Sequence, residues 1–190
     1  MGGFIVIGTE DPSTCSGDSS EAALSYLLKQ NIDSDSIFYH RLDQDHIGIT
    51  GHSQGGVGVF NAVEKQPHGN LYTCAVSLSP TDMEMADAIG LHYEPNQMTV
   101  PTLLVASDTN DVITPDGLQK VYDEMNVPKA MALRIGVDHG KMLYSADGYV
   151  TAWFLWLLKE NTEAAAVFSG GSAELLTNPL YINQSVSIEP

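Results

Sequence analysis

Gly51-His52-Ser53-Gln54-Gly55-Gly56 decides the fold of this chain, because it joins an apolar run to a run of small residues. The apolar run, residues 47–50, is typical of a strand, and residues 57–63 are typical of a helix. A serine with glycines in G-x-S-x-G spacing at such a turn indicates a nucleophile, since the strained turn exposes the hydroxyl above a helix N-terminus. The competing interpretation is a glycine-rich turn that carries an incidental serine.

Strands and helices alternate along the rest of the chain. Apolar runs predict strands at residues 4–7, 46–50, 71–78, 101–106 and 129–135. Helical patterns are predicted at residues 22–30, 54–65, 115–125 and 148–160, with a helical turn or two at 83–89. An Asp18-x-x-Glu21 capping box is expected before the first helix, and a short extended piece at residues 37–39.

This alternation predicts an α/β fold with a mostly parallel sheet of about five strands flanked by helices. At 190 residues the chain has the length of a single domain, residues 1–190. We place its core at residues 3–160 and a C-terminal helical tail at 161–190. Functional loops are then expected at the carboxyl ends of the parallel strands.

The composition excludes several classes of partner. The formal charge is −16, from 24 acidic and 8 basic residues, which argues against binding nucleic acid or an anionic membrane surface. The longest strongly apolar stretch, residues 150–158, is far too short to span a bilayer. Cys15 and Cys74 lack metal-site spacing, so two free or buried thiols are predicted.

A serine nucleophile needs a base that accepts its proton, and His139 has the right place in the chain for that role. It follows the fifth and last predicted strand, in the loop at residues 136–140. The other histidines precede the expected acid or crowd the turn: His40, His46, His52, His68 and His92. The competing interpretation of His139 is a solvated loop histidine.

The base in turn needs a carboxylate, expected in the loop after the strand at residues 101–106. That loop offers Asp108 and Asp111, and their spacing does not decide between them. Asp116 falls at a helix start, where it complements the helix dipole. The Asp-x-Asn-Asp cluster lacks the alternating oxygen ligands and the glycine of a calcium loop, so neither a metal nor a cofactor is expected.

Four segments together resemble the cutinase-like polyesterase and lipase group of α/β-hydrolases, which neighbours the poly(ethylene terephthalate) hydrolases and the dienelactone-hydrolase-like esterases. They are residues 4–7 with the loop that follows, GHSQGG at 51–56, PTLLVASDTNDVITP at 101–115, and GVDHG at 136–140. The resemblance covers about residues 3–160. It implies an Asn-Asp-x-x-x-Pro acid, which is Asp111 here, with Asp108 as the fallback.

The resemblance also implies a reaction and a set of roles. His139 would deprotonate Ser53 for attack on a carboxylic ester, and Asp111 would stabilise the imidazolium. The backbone N–H of Gln54 would supply one oxyanion donor. At two positions that are typically aromatic in the family, this chain has His52 and Thr81, so a small or aliphatic ester is favoured over an aromatic polymer. The apolar pair Val112-Ile113 would either line an acyl pocket or anchor the loop.

One departure from the family pattern concerns the segment before residue 4. The second oxyanion donor of the family comes from a loop after an earlier strand, and the sequence contains neither that loop nor about three N-terminal strands. We therefore expect either a fragment or a compact variant, with a homodimer formed through the exposed sheet edge.

The missing oxyanion loop keeps two other functions open. One is a catalytically weak or inactive binding domain, and the other is an enzyme of the same fold that acts on a thioester, an amide or a lactone. The resemblance implies secretion, although no signal peptide precedes residue 4.

Overall fold

The computed structural model describes residues 3–188, and a single sheet crosses that part of the chain. Its strands are β1 (Ile47–His52), β2 (Tyr72–Leu78), β3 (Thr102–Ser107), β4 (Lys129–Arg134) and β5 (Tyr181–Ser187). The spatial order follows the chain order. β1 to β4 are parallel, and β5 pairs antiparallel with β4.

Helices cover both faces of the sheet. They are α1 (Asp18–Ile32), α2 (Gln54–Lys65), α3 (Met83–Ala88), α4 (Pro115–Glu124), α5 (His139–Ser145), α6 (Asp147–Lys159) and α7 (Thr162–Ala165). Short 3-10 helices occupy Gly69–Leu71, Pro95–Gln97 and Glu174–Thr177. In residues 3–188, none of these helices combines the length and the apolarity needed to cross a bilayer.

The core is divided into two layers because neighbouring side chains of a strand point to opposite faces. On β3, Leu104 and Ala106 join the cluster under α1, α2 and α4. Leu103 and Val105 join the cluster on the other face, under α5 and α6. β3 is therefore buried on both sides, which explains why its sequence is continuously apolar.

The predicted fold class is confirmed: the protein has a five-stranded, mostly parallel sheet flanked by helices. Strands β1 to β4 lie where the apolar runs predict them, within two residues at each end. The main helical predictions correspond to α1, α2, α4 and α6. Cys15 and Cys74 are free thiols, as predicted.

The predicted strand at residues 4–7 is wrong. This segment has no regular secondary structure, and the side chain of Val6 is 87% exposed. A strand needs a neighbour with which to exchange backbone hydrogen bonds, and a cavity of about 570 Å³ lies between residues 3–9 and β1. Within the described residues β1 pairs only with β2, so its other edge is open.

The predicted helical tail at residues 161–190 is also wrong in part. α7 and the 3-10 helix at Glu174–Thr177 lie in it, but it continues into β5. β5 pairs with β4 across about 50 residues of sequence, from Arg134 with Tyr181 to Lys129 with Ser187. Its half-exposed residues include Asn183, Gln184 and two serines, so the run is too polar to be recognised as a strand from the sequence.

Two local predictions near the N-terminus fail as well. Residues 37–39 form turns instead of an extended piece. α1 begins at Asp18 with Gly17 as its N-cap, in the left-handed region at φ 82°, so the capping box does not form. The Glu21 carboxylate instead accepts the backbone N–H of His68 and the hydroxyl of Ser25.

The turn between β1 and α2 is tight enough to dictate which residues it can contain. Ser53 has φ 61° and ψ −121°, a strained conformation for a residue with a side chain. A Cβ atom at Gly51 would lie 2.1 Å from the backbone oxygen of Gly55, whereas a Cβ at Gly55 would meet only Thr14 Oγ1, at 3.4 Å. The two glycines of the motif are therefore not equivalent.

Gly51→Ala should lower the free energy of unfolding by about 1–3 kcal/mol, because the added methyl group overpacks against backbone that cannot move aside. Gly55→Ala should change it by less than about 1 kcal/mol, since the new methyl group fits and alanine favours the helix. Urea unfolding followed by circular dichroism measures both. Equal losses in the two variants would contradict this account of the turn.

Candidate active site

Ser53 lies at the carboxyl end of β1, where the chain turns into α2. Its backbone N–H donates to the oxygen of Leu78 at 3.0 Å, which ties the turn to the end of β2. Its hydroxyl oxygen lies 3.0 Å from Nε2 of His139. The strained turn therefore presents the hydroxyl to an imidazole from the segment that follows β4, three strands away from β1 in the sheet.

His139 is the first residue of α5, not a residue within a loop as predicted. Asp138 caps this helix by accepting the backbone N–H of Lys141 at 3.0 Å. The backbone N–H of His139 donates to the oxygen of Asn110 at 3.2 Å, which holds the start of α5 against the loop after β3. The backbone that carries the His139 ring is thus held in place, and the ring itself faces Ser53.

Asp111 completes the row, with its Oδ1 at 2.7 Å from Nδ1 of His139. Because a carboxylate only accepts, Nδ1 carries a proton, which leaves Nε2 free to accept the proton of Ser53. This arrangement can move the hydroxyl proton of Ser53 to His139 while Asp111 balances the charge that develops. The Asp108 carboxylate instead accepts the backbone N–H of Gly136 at 2.9 Å.

The Asp111 side chain is only 2% exposed, yet it is surrounded by donors. Burial would raise its pKa, but hydrogen bonds from Ser79, Ser107, His139 and Val112 outweigh burial and hold the pKa of Asp111 below its usual value. The carboxylate is therefore ionised near neutral pH.

His52 lies beside the imidazole of His139, with the ring centroids 4.5 Å apart. Its Nε2 donates to the backbone oxygen of His139 at 2.8 Å. Burial is the main reason that the pKa of His52 is lowered, so this ring is neutral near pH 7. The position that the sequence assigns to substrate contact also holds the first turn of α5 in place.

The other predicted site residues differ in exposure. Gln54 is the first residue of α2, so its backbone N–H is one of those that a helix cannot satisfy internally, and it lies next to the Ser53 hydroxyl in sequence. The side chains of Thr81 and Ile113 are buried, and the backbone oxygen of Thr81 accepts the Tyr93 hydroxyl at 2.9 Å. Their contact with a substrate stays a prediction.

A groove follows the open edge of β1 up to the turn that carries Ser53. It is the cavity of about 570 Å³ noted above, and Gly51, His52 and Gly55 line the end that lies nearest to Ser53. Apolar side chains from α1 and α6, including Leu24, Leu28, Phe154 and Leu158, line another part, and residues 3–9 and 41–44 also contribute to the lining. Over residues 3–188, His, Cys, Asp and Glu side chains form no group of three that could hold a metal ion.

Ser79 is the residue at this site that sequence reasoning missed. It follows β2 directly, and its hydroxyl donates to Oδ2 of Asp111 at 2.6 Å. The available signal was its position, since it is a polar residue at the carboxyl end of a parallel strand and precedes Pro80. Only the structure shows that the end of β2 lies against the loop after β3.

Comparisons with known proteins show the family to which the chain is related. A family described as PET hydrolase-like matches residues 2–162. Cutinase est1 of Thermobifida alba is 30% identical over an alignment of 141 residues that covers 65% of this chain and 43% of that protein. Cutinase est2 of the same organism is 27% identical over an alignment of 115 residues that covers 58% of this chain and 34% of that protein.

The chain thus spans less than half the length of the curated relatives that it matches. The family match nevertheless covers most of the chain, from before residue 4 to just beyond α6. It includes the turn at Ser53, the loop that holds Asp111 and the start of α5. On these grounds, the chain belongs to the PET hydrolase-like family of α/β-hydrolases.

Proposed function

We propose that the protein is a serine hydrolase that cleaves carboxylic esters through an acyl-enzyme. The observation that supports this most strongly is the row of contacts from Ser53 Oγ through the His139 ring to Asp111, with distances of 3.0 and 2.7 Å. The family match and the names of the two cutinases point to the same bond type.

In the first half-reaction, Nε2 of His139 takes the proton of Ser53 as Oγ forms a bond to the ester carbonyl carbon. The tetrahedral intermediate then expels the alcohol, which receives the same proton from His139. In the second half-reaction water attacks the acyl-enzyme, with His139 again as the base. Asp111 stays ionised throughout and stabilises the imidazolium.

The negative oxygen of the intermediate needs donors. We assign one of them to the backbone N–H of Gln54, at the N-terminus of α2 where the helix dipole favours negative charge. A single such donor contributes about 2.7–4 kcal/mol of transition-state stabilisation in other hydrolases.

The ester is proposed to be small or aliphatic. Thr81 occupies a position that is typically aromatic in the resembled group, so one stacking wall for an aromatic polymer is missing. We propose that His52, Thr81 and Ile113 line the acyl side of the site. For the two buried residues, this requires the chain around them to shift when substrate binds.

Ser53→Ala should abolish hydrolysis of p-nitrophenyl acetate and p-nitrophenyl butyrate. A loss of roughly 10⁵–10⁶-fold in kcat is expected, as for other serine hydrolases without their nucleophile. The measurement is release of p-nitrophenol at pH 7–8. Wild-type protein that does not exceed the buffer rate would favour the inactive binding domain, and activity on thioesters or amides alone would favour the other enzyme class.

Two matched asparagine variants separate the carboxylates of the loop after β3. Asp111→Asn should lower kcat by roughly 10⁴-fold, because the imidazole loses the acceptor that fixes its tautomer. Asp108→Asn should keep most of the activity, since its amide oxygen can still accept the N–H of Gly136. The reverse order of effects would move the acid to Asp108.

We also propose that the protein forms a homodimer through the open edge of β1. Residues near this edge expose apolar side chains, with Ile5 48%, Val6 87% and Ile7 40% exposed. An open strand edge next to an exposed apolar segment favours pairing with another chain, and a second copy presents both features reciprocally.

Val6→Lys should convert the dimer to a monomer, because a charge in the interface would be buried without a partner. The matched control is Ile182→Lys on β5, at the opposite edge of the sheet, which should leave the dimer intact. Size-exclusion chromatography with light scattering at micromolar concentration measures both. A wild-type monomer would refute the dimer.

Secretion is proposed from the family resemblance. Immunoblotting of the native host should then find the protein in the culture medium. Its retention in the cell fraction, with an intracellular marker as control, would contradict secretion.

A further inference from the structure

Ser79 is a buried serine in a conformation that serine rarely adopts. Its φ is 42°, in the left-handed region, and its side chain is completely buried. Its backbone N–H donates to the oxygen of Val105 at 2.8 Å, which fixes it between the ends of β2 and β3. In this position the hydroxyl donates to Oδ2 of Asp111, 2.6 Å away.

The hydrogen bonds of Asp111 show what the Ser79 hydroxyl adds. Oδ1 accepts from His139 Nδ1 and from the N–H of Val112, both at 2.7 Å. Oδ2 accepts from Ser79 Oγ and from the N–H of Ser107, at 2.6 and 2.8 Å. Two of these four donors belong to the backbone and one to the reacting imidazole. Among the described contacts of Asp111, Ser79 supplies the one remaining side-chain donor.

We propose that Ser79 is a positioning residue of this site: its hydroxyl orients the Asp111 carboxylate so that Oδ1 stays aimed at Nδ1 of His139. The inference rests on the proposed hydrolase function for its effect on catalysis. Ser79 touches no reacting atom and acts only through Asp111. Its position lies outside the sequence motifs that mark the rest of the site.

The carboxylate has a reason to need this support. It lies within the loop between β3 and α4, directly after Asn110 at φ 52°. Without the Ser79 hydroxyl, Oδ2 would keep only the backbone N–H of Ser107, which leaves the carboxylate freer to rotate. Donors on both oxygens fix the plane of the group. Hydrogen bonds to an ionised acceptor are the stronger kind, so the Ser79 bond also favours the charged carboxylate.

Loss of the Ser79 hydroxyl should shift the pH profile of kcat/KM in one direction only. With one donor fewer, the Asp111–His139 pair binds a proton more tightly, because the carboxylate charge is stabilised by fewer bonds. The acid limb of kcat/KM, along which protonation of this pair removes the base, therefore moves to higher pH. A loss of packing alone would lower activity by the same factor at every pH.

Other titratable groups lie around the pair and remain unchanged in the variants. His52 packs on the ring of His139. The carboxylates of Asp82, Asp108 and Asp138 each accept a backbone N–H, from Glu84, Gly136 and Lys141 respectively. In the described part of the chain, none of these groups is a hydrogen-bond partner of Asp111, so they do not replace Ser79.

Two substitutions distinguish the effect of the Ser79 hydroxyl from the effect of the strained backbone. Ser79→Ala and Ser79→Gly both remove the donor, but glycine also relieves the strain at φ 42°. Each should lower kcat/KM about ten-fold at the optimum, as expected for one bond to a charged group. Each should also move the acid limb to higher pH.

The control is Ser77→Ala. Ser77 is equally buried two residues earlier, on β2, but its hydroxyl donates to the backbone oxygen of Gly56 at 2.9 Å. This variant should leave the acid limb where it is in the wild type. A matching displacement in Ser77→Ala would mean that loss of any buried serine hydroxyl near the end of β2 has this effect, which would overturn the proposal.

A titration that does not depend on activity completes the test. The His139 ring, identified through a His139→Gln variant, is followed by NMR in protein labelled at histidine. Its midpoint should rise in both Ser79 variants. An unchanged midpoint in both, or a rise in the alanine variant only, would overturn the proposal. Absence of hydrolysis by the wild type would refute the hydrolase function and leave this measurement valid.

Discussion

The buried carboxylate of Asp111 is the group on which the arrangement of the site depends. It accepts hydrogen bonds from the end of β2 through Ser79, from the end of β3 through Ser107, from the loop after β3 through Val112, and from α5 through His139. A buried charge is tolerated only where donors surround it. The loops that follow three neighbouring strands therefore converge on one point, and the imidazole is held there with a defined tautomer.

The turn at Ser53 is determined by a different constraint, which is steric. The strand and the helix approach so closely that Gly51 has no room for a side chain, and Ser53 has to adopt a positive φ. Backbone strain of this kind persists only where the surrounding structure enforces it. Here β2 supplies part of that enforcement, since the oxygen of Leu78 accepts the N–H of Ser53.

The two edges of the sheet explain which elements sequence patterns could predict. β1 to β4 are apolar because helices cover both faces, and such runs are recognisable in a sequence. β5 is a polar edge strand, and its pairing with β4 spans a long stretch of chain, so no local pattern marks it. Residues 4–7 have the opposite problem: the apolar pattern is present, but a cavity separates them from the open edge of β1, and they pair with no described strand.

The sequence by itself determined the α/β class and the turn at Ser53, and it set the chain order of the candidate serine, acid and base, because spacing and periodicity are local properties. Spacing left Asp108 and Asp111 as alternatives, and the family resemblance favoured Asp111. Only the tertiary structure showed the Asp111 carboxylate against His139, together with the contacts of Ser79 and His52. Those contacts join residues from separate strands, and their geometry depends on how the strand ends pack against one another.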